Sequence, residues 1–196
     1  MRIRCAATMV ALAMVAIADG STFRIVPERT SVRFAVSQFG IATQPGRFDR
    51  TRGTIVLDAT PGTGSIDLVV DAGSVNTGWD LRDSFLRSDA MFDVVQYPAI
   101  RFRSTWLAFE GKRLVAVDGE LTMHGVTHPV RFDVTRFECG TDPANEGALC
   151  DAVVSGRVSR RAFGMSFAYP IIGDEVSLDF AVTALRVRDP GEAHAR

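Results

Sequence analysis

Phosphate-cradling loops are missing from this chain: neither GxGxxG nor GxxxxGK[ST] occurs, so no nucleotide-binding turn is indicated. There is no CxxC, and the three cysteines, Cys5, Cys139 and Cys150, do not make a zinc site by themselves. Histidine is confined to His124, His128 and His194, and no GxSxG elbow presents a serine, so a serine triad has little to draw on. The 22 basic and 23 acidic side chains leave a net charge of −1. No basic tract with interleaved aromatics marks a nucleic-acid surface, and nucleic acid is set aside as a partner. The apolar run Cys5–Ile17 is about thirteen residues, short of the roughly twenty that span a bilayer as a helix.

That short run reads instead as the centre of a secretory signal peptide. Arg2 and Arg4 precede it, and Ala16-Ile17-Ala18 offers a small-x-small cleavage site before Asp19. Residues 1–18 are therefore expected to be removed after Ala18, placing the mature protein in the periplasm or outside the cell. A membrane anchor is the alternative. The cut takes away two arginines and no acid, leaving 178 residues with a balance of −3. That length suits one domain, residues 19–188, with 189–196 a loose polar tail. In an exported protein, Cys139 and Cys150 suggest a disulfide closing a hairpin loop that holds Pro143 and Gly147. The chain-entropy model assigns about 3 kcal/mol to a loop of this size. Two free thiols are the alternative.

Alternation of apolar and polar residues marks most of the rest as strands. Thr22–Pro27 is a first candidate, and Ser31–Phe39 is clearer, with Val32, Phe34 and Val36 on one face before Gly40. Gly46-Arg47-Phe48 opens another segment, Thr54–Asp58 continues it, and Pro61–Gly64 signals a turn. Ser65–Asp71 follows. Beyond Pro98, Ile100, Phe102, Ser104 and Trp106 share a face. Glu110-Gly111-Lys112 turns the chain, Leu114–Leu121 returns, and His124-Gly125 turns again. Val126–Glu138, Ala148–Ser159 and a last strand carrying Val176, Leu178, Phe180 and Val182 complete the series. Gly156, Gly164 and Gly173 suit β bends. Strand follows strand, so the expectation is an all-β antiparallel meander of eight to ten strands, a barrel or a sandwich. Closure would remove exposed edges.

One stretch changes period. In Trp79–Pro98, Leu81, Phe85 and Phe92 recur at helical spacing, with Leu86 and Val95 on nearby faces and Arg82, Asp83, Arg87 and Asp89 between them. The pattern predicts one amphipathic helical insertion, capped by Gly78 or Asp80 and stopped at Tyr97-Pro98, lying on the mouth or flank of a barrel.

Candidate chemistry is sparse. His124 and His128 are four apart, but Gly125 and Pro129 place them at a turn and a strand start, so no metal site is expected. Asp83, Asp89 and Asp93 are explained by capping and by pairing with Arg82 and Arg87. What is plentiful is apolar bulk, including thirteen Phe. A barrel of about eight strands can pack that bulk or hold one small ligand, and both remain open.

Several segments taken together resemble the YceI-like family, exported polyisoprenoid-binding proteins. SVRFAVSQFGIATQPGRFDRTRGTIVLD is similar to its opening strands. DLRDSFLRSDAMFDVVQYPAIRFRST is similar to its most distinctive block, and GELTMHGVTHPVRFDV to its Gly-x-Leu-Thr-x-x-Gly-Val-Thr-x-Pro-Val hairpin. SRRAFGMSF and IIGDEVSLDFAV resemble its closing segments, so the likeness spans roughly residues 22–187. The resemblance implies an extended, antiparallel, lipocalin-like barrel whose interior takes a long isoprenoid or similar amphiphilic lipid, and a binder or carrier with no enzyme activity and no cofactor beyond such a chain. A quinone tail is within that class. The block commonly has His before Leu-Arg-Ser, whereas this chain has Phe85, which exchanges a polar contact for apolar surface.

On this reading the cavity is lined by Phe34, Val36, Phe102, Trp106 and Phe132, with Phe85, Leu86 and Phe92 near an opening, and Arg82 and Arg87 are candidates for an anionic head group. Partners would be the lipid itself, transient contact with a membrane, and a second copy as a homodimer. A β-barrel module with a filled core and no ligand is the alternative, in which Trp106→Arg unfolds the domain. A hydrolase or isomerase of lipid heads using His124 and His128 is a third reading.

Overall fold

The computed structural model describes residues 20–58, 63–111, 113–144 and 147–187. The expected signal peptide, the 189–196 tail, His194, Pro61-Gly62 and Lys112 lie outside them. Within them the chain is all-β with one α-helix. The strands are β1 (Ser21–Ile25), β2 (Ser31–Gln38), β3 (Ala42–Phe48), β4 (Thr51–Leu57), β5 (Gly64–Asp71) and β6 (Val75–Asn76). The helix α1 (Asp80–Arg87) precedes β7 (Ala99–Glu110), β8 (Arg113–Met123), β9 (Val126–Thr141), β10 (Ala148–Ser159) and β11 (Ile172–Arg186).

All pairings are antiparallel, and the sheet closes because β11 meets β1 through Ile25↔Ala184 and β2 through Phe34↔Leu178. β1 and β2 thus act as one bent strand, as do β3 with β4 and β5 with β6, giving a closed barrel of eight strand positions. The three bends lie side by side. Pro27–Arg29 forms a 3₁₀ turn, Asp49-Arg50 breaks β3 from β4, and Ala72–Ser74 breaks β5 from β6. Hydrogen bonds from Asp49 N to Ser74 O (3.1 Å) and from Asp71 N to Arg50 O (3.0 Å) stitch the second and third together, pairing these backbone groups across the turn.

Beyond the bends, β6 stays on β3 while β7 stays on β5, so the wall parts at this end. α1 and the turns down to Pro98 fill the parting. The same end of the barrel carries the β2–β3 turn, the His124-Gly125 turn and the segment between β10 and β11. The β7–β8 and β9–β10 turns lie at the opposite end, with the Cys139–Cys150 disulfide across directly paired residues.

The helix is shorter than its sequence period implied. It stops at Arg87 because the Ser88 hydroxyl and N–H both turn back to Phe85 O, at 2.7 and 3.1 Å. Phe92 and Val95 therefore sit in turns, with Phe92 N bonded to Leu86 O. Neither Gly78 nor Asp80 caps the start. Trp79 occupies the N-cap without a side-chain bond, and Asp83 does the work from one turn in. Its buried Oδ1 accepts from Thr77 N at 2.8 Å and Thr77 Oγ1 at 2.6 Å.

Candidate ligand-binding site

The inward faces of the strands do not meet in the middle. They enclose a cavity of about 270 Å³ that runs from Leu57, Leu114 and Phe137 at one end to Gln38, Gln44, Arg82 and Phe85 at the α1 end. An apolar cavity of ~150 Å³ stays dry and takes up benzene, so the space here suits a hydrocarbon of on the order of ten carbons. The lining is almost wholly aliphatic and aromatic; its polar side chains are Gln38, Gln44, Thr77, Arg82 and Arg160.

The room depends on glycines in the wall. A Cβ on Gly46 would overlap the Phe34 ring, one on Gly119 the Phe102 ring, and one on Gly156 the Phe132 ring. Each ring lies flat over a neighbouring strand instead of standing up into the lumen. Edge-to-face contacts then link Phe102 to Phe132 and Phe132 to Phe180, both at 5.3 Å between centroids.

Phe34, Val36, Phe85, Leu86, Phe92, Phe102 and Phe132 all lie on the cavity lining. Trp106 does not; it is 58% exposed on the outer face. A β-bulge between Ser104 and Trp106 adds a residue to β7, so the alternation reverses and Leu107, 1% exposed, points inward in its place. A second bulge, in β9 opposite Val153/Val154, has the same effect and turns Phe137 inward.

The two candidate head-group arginines part company. Arg82 borders the cavity, donating from Nε to Thr77 Oγ1 (2.7 Å), from Nη1 to Gln44 Oε1 (2.6 Å) and from Nη2 to Thr77 O (3.1 Å). All three acceptors are neutral, and among the described residues Arg82 forms no ion pair with a carboxylate. Arg87 is off the lining. Its Nε and Nη2 hold Gly73 O and Val75 O at 2.9 and 2.8 Å, tying α1 to the third bend.

Arg160 is a cavity residue that strand alternation could not reveal, because it follows β10 in a turn. It is 3% exposed and holds three carbonyls, Gly173 O, Met165 O and Ile172 O, at 2.7 to 2.8 Å. Burial lowers its pKa, partly countered by the nearby Asp174 carboxylate, and Arg161 adds to the lowering. Asp174 itself stays below the usual carboxylate range. Desolvation raises it, but bonds from Arg161 N and the Ser159 hydroxyl, with the two arginine charges, outweigh that. His124 Nδ1 and His128 Nε2 face Phe163 O (3.0 Å) and Ala162 O (2.9 Å), so both rings brace this same turn. Among the described residues no cluster of His, Cys, Asp and Glu could hold a metal.

The sequence matches the model of the YceI-like domain over residues 23–184. The chain belongs to the YceI-like family. A UPF0312 protein of Shewanella denitrificans is 29% identical over 157 residues, covering 80% of this chain and 82% of that protein. Protein YceI of Salmonella arizonae is 28% identical over 156 residues, 79% and 81% of the two chains. Two solved structures share the fold. BcnA of Burkholderia cenocepacia has a TM-score of 0.68 at 22% identity, covering 81% of this chain and 98% of its own. A polyisoprenoid binding domain from Saccharophagus degradans has 0.61 at 20%, covering 84% and 98%.

Against the YceI-like block, the Phe85 departure acquires a place. Its ring lines the cavity, is 36% exposed, and packs on Phe167 with centroids 4.8 Å apart. An aromatic pair therefore flanks the mouth, at the position where the sequence resemblance leads to the expectation of a His. Gln38, Gln44 and Thr77 complete the polar border of that mouth. In sequence they are ordinary strand and loop residues, and only the pairing of β3 with β2 and β6 brings them beside α1.

Proposed function

We propose that this protein binds a polyisoprenoid or similar long-chain amphiphilic lipid inside the barrel, as a periplasmic or secreted carrier that does no chemistry on it. The observation that carries the reading is the continuous apolar cavity with polar side chains only toward one end. A chain of about ten buried carbons gains roughly 8 kcal/mol at ~0.8 kcal/mol per methylene, before the cost of immobilising it. Apolar walls grade ligands by length more than by shape, so the tail specificity is broad and a quinone tail fits as well as a prenol. Longer chains leave the mouth past Phe85.

Arg82, with Gln44 and Thr77, is the polar group nearest the head of such a ligand. Among the described residues its charge has no carboxylate partner, which favours an anionic or strongly hydrogen-bonding head. The filled-core module finds no support in a lumen whose wall glycines keep the rings flat. A His124/His128 enzyme finds none in two rings that face backbone carbonyls.

Native mass spectrometry after mixing delipidated protein with polyprenols and polyprenyl phosphates tests the proposal. Mass shifts of one ligand per chain are expected, stronger for the phosphates. A protein that stays at its empty mass with every chain offered overturns it.

A further inference from the structure

The mouth is ringed by side chains that the fold leaves uncovered. Phe39 and Ile41, 71% and 92% exposed, form the tip of the β2–β3 turn. Phe167, Tyr169 and Ile171 are also exposed, on the segment leading into β11. The two segments are joined: Phe39 N donates to Ile171 O at 2.8 Å. The segment joins α1 in turn through the Phe85–Phe167 ring pair, and Leu81 lies one helical turn from Phe85 on the same face. Phe39 holds φ +54°, a left-handed conformation that a bulky residue rarely takes. A turn tip is ordinarily built of small polar residues, so the backbone is paying here to present a bare ring to the outside.

We infer that this rim is a docking surface for a phospholipid bilayer, into which Phe39, Ile41, Phe167, Tyr169 and Ile171 insert while the mouth faces the membrane. Two features favour a bilayer over a protein face. The rim is continuous with the cavity through Phe85, so whatever covers it also covers the opening; a lipid phase supplies a greasy guest there, whereas a protein face seals it. The polar partners are those of a membrane interface, where aromatic rings and cations sit at headgroup level. The Arg161 guanidinium lies over the Tyr169 ring at 4.2 Å and that of Arg82 over Trp79 at 5.4 Å. Among the described residues neither arginine forms a carboxylate ion pair; Arg82 is bonded to neutral acceptors, and Arg161 has only the field of the nearby Asp174 to offset its charge, so both can face lipid phosphates.

The docking gives the proposed carrier its source of ligand and in that respect rests on the carrier reading, but it is measured separately. The mature protein is floated with vesicles of phosphatidylethanolamine and phosphatidylglycerol containing no isoprenoid, beside a Phe39→Ser/Ile41→Ser/Ile171→Ser variant. None of the three positions lines the cavity. The wild type is expected to float and the variant to partition about a hundredfold less, with the same circular dichroism and the same uptake of polyprenol from detergent solution. Wild-type protein that remains in the soluble fraction, or a variant that floats equally well, overturns the docking. A wild-type dimer that the substitutions split, with no flotation, also overturns it and assigns the rim to a second copy. Retained uptake without flotation leaves the carrier reading standing; flotation with an empty cavity removes only the carrier reading.

Discussion

Gly156→Ala should damage ligand binding more than it damages the fold. Gly156 faces inward on β10, between Val154 and Val158, which both line the cavity. An added methyl would overlap the Phe132 ring edge, and the backbone of Arg131 behind it gives no room to retreat. The ring must swing into the lumen. The stability cost is that of overpacking, about 1–3 kcal/mol, and replacing a strand glycine returns roughly 0.5–1 kcal/mol. The net loss is then on the order of 1 kcal/mol.

The cost to the ligand is larger. A phenyl ring displaced into the lumen takes about the space that benzene needs, roughly half of the 270 Å³ available. Four or five carbons lose their seat, about 3–4 kcal/mol at ~0.8 kcal/mol per methylene, which is two to three orders of magnitude in affinity. Urea unfolding of the lipid-free protein and calorimetric titration with a prenol of about ten carbons read the two effects separately. Adding Phe132→Leu should restore most of the affinity. Unchanged affinity in Gly156→Ala, or an equal loss in stability and binding free energy, would refute the argument that flat rings over glycines keep the lumen open.

Arg160→Met removes the donor from three carbonyls, one of them buried and two half-buried, and at about 1–3 kcal/mol for a buried unpaired group it should cost on the order of 2–3 kcal/mol in urea unfolding. Trp106→Arg should change neither the unfolding free energy by more than ~0.5 kcal/mol nor prenol uptake, because the ring is outside the barrel; unfolding or loss of uptake would return Trp106 to the interior. Asp174, held ionised by Ser159 and Arg161, stabilises the fold fully above the ordinary aspartate pKa near 3.9. That contribution is lost as pH falls through its lowered folded value, so the stability gap between wild type and Asp174→Asn should close between about pH 4 and the strongly acidic range. A gap that widens on acidification would show the sign to be wrong.

The barrel was legible because its strands alternate cleanly and follow one another through short turns; β10 begins and ends where the pattern said, and Cys139 opposite Cys150 follows from the hairpin between them. The misplacement of Trp106 has a local cause. A bulge leaves the sequence alternating while reversing which face is inside, and nothing in Ser104-Thr105-Trp106 announces the extra residue. Phe92 reached the cavity although its helix ended early, because the turns after Ser88 bring it back under Leu86. Residues that need two distant elements to acquire meaning stayed hidden. Gln44 becomes polar border only beside Arg82, and Gly46, Gly119 and Gly156 matter only once a ring lies across each. At the bare tip, Phe39 read as the end of a strand before Gly40, and Ile41 drew no reading; their exposure belongs to the closed barrel.

A crystal structure of the protein with a polyprenyl phosphate tests the central claim most directly. The account predicts one chain threaded along the lumen between Leu114 and Phe85, its head beside Arg82 and Gln44. A lumen filled by its own side chains, with the lipid lying on the outer wall, would contradict it.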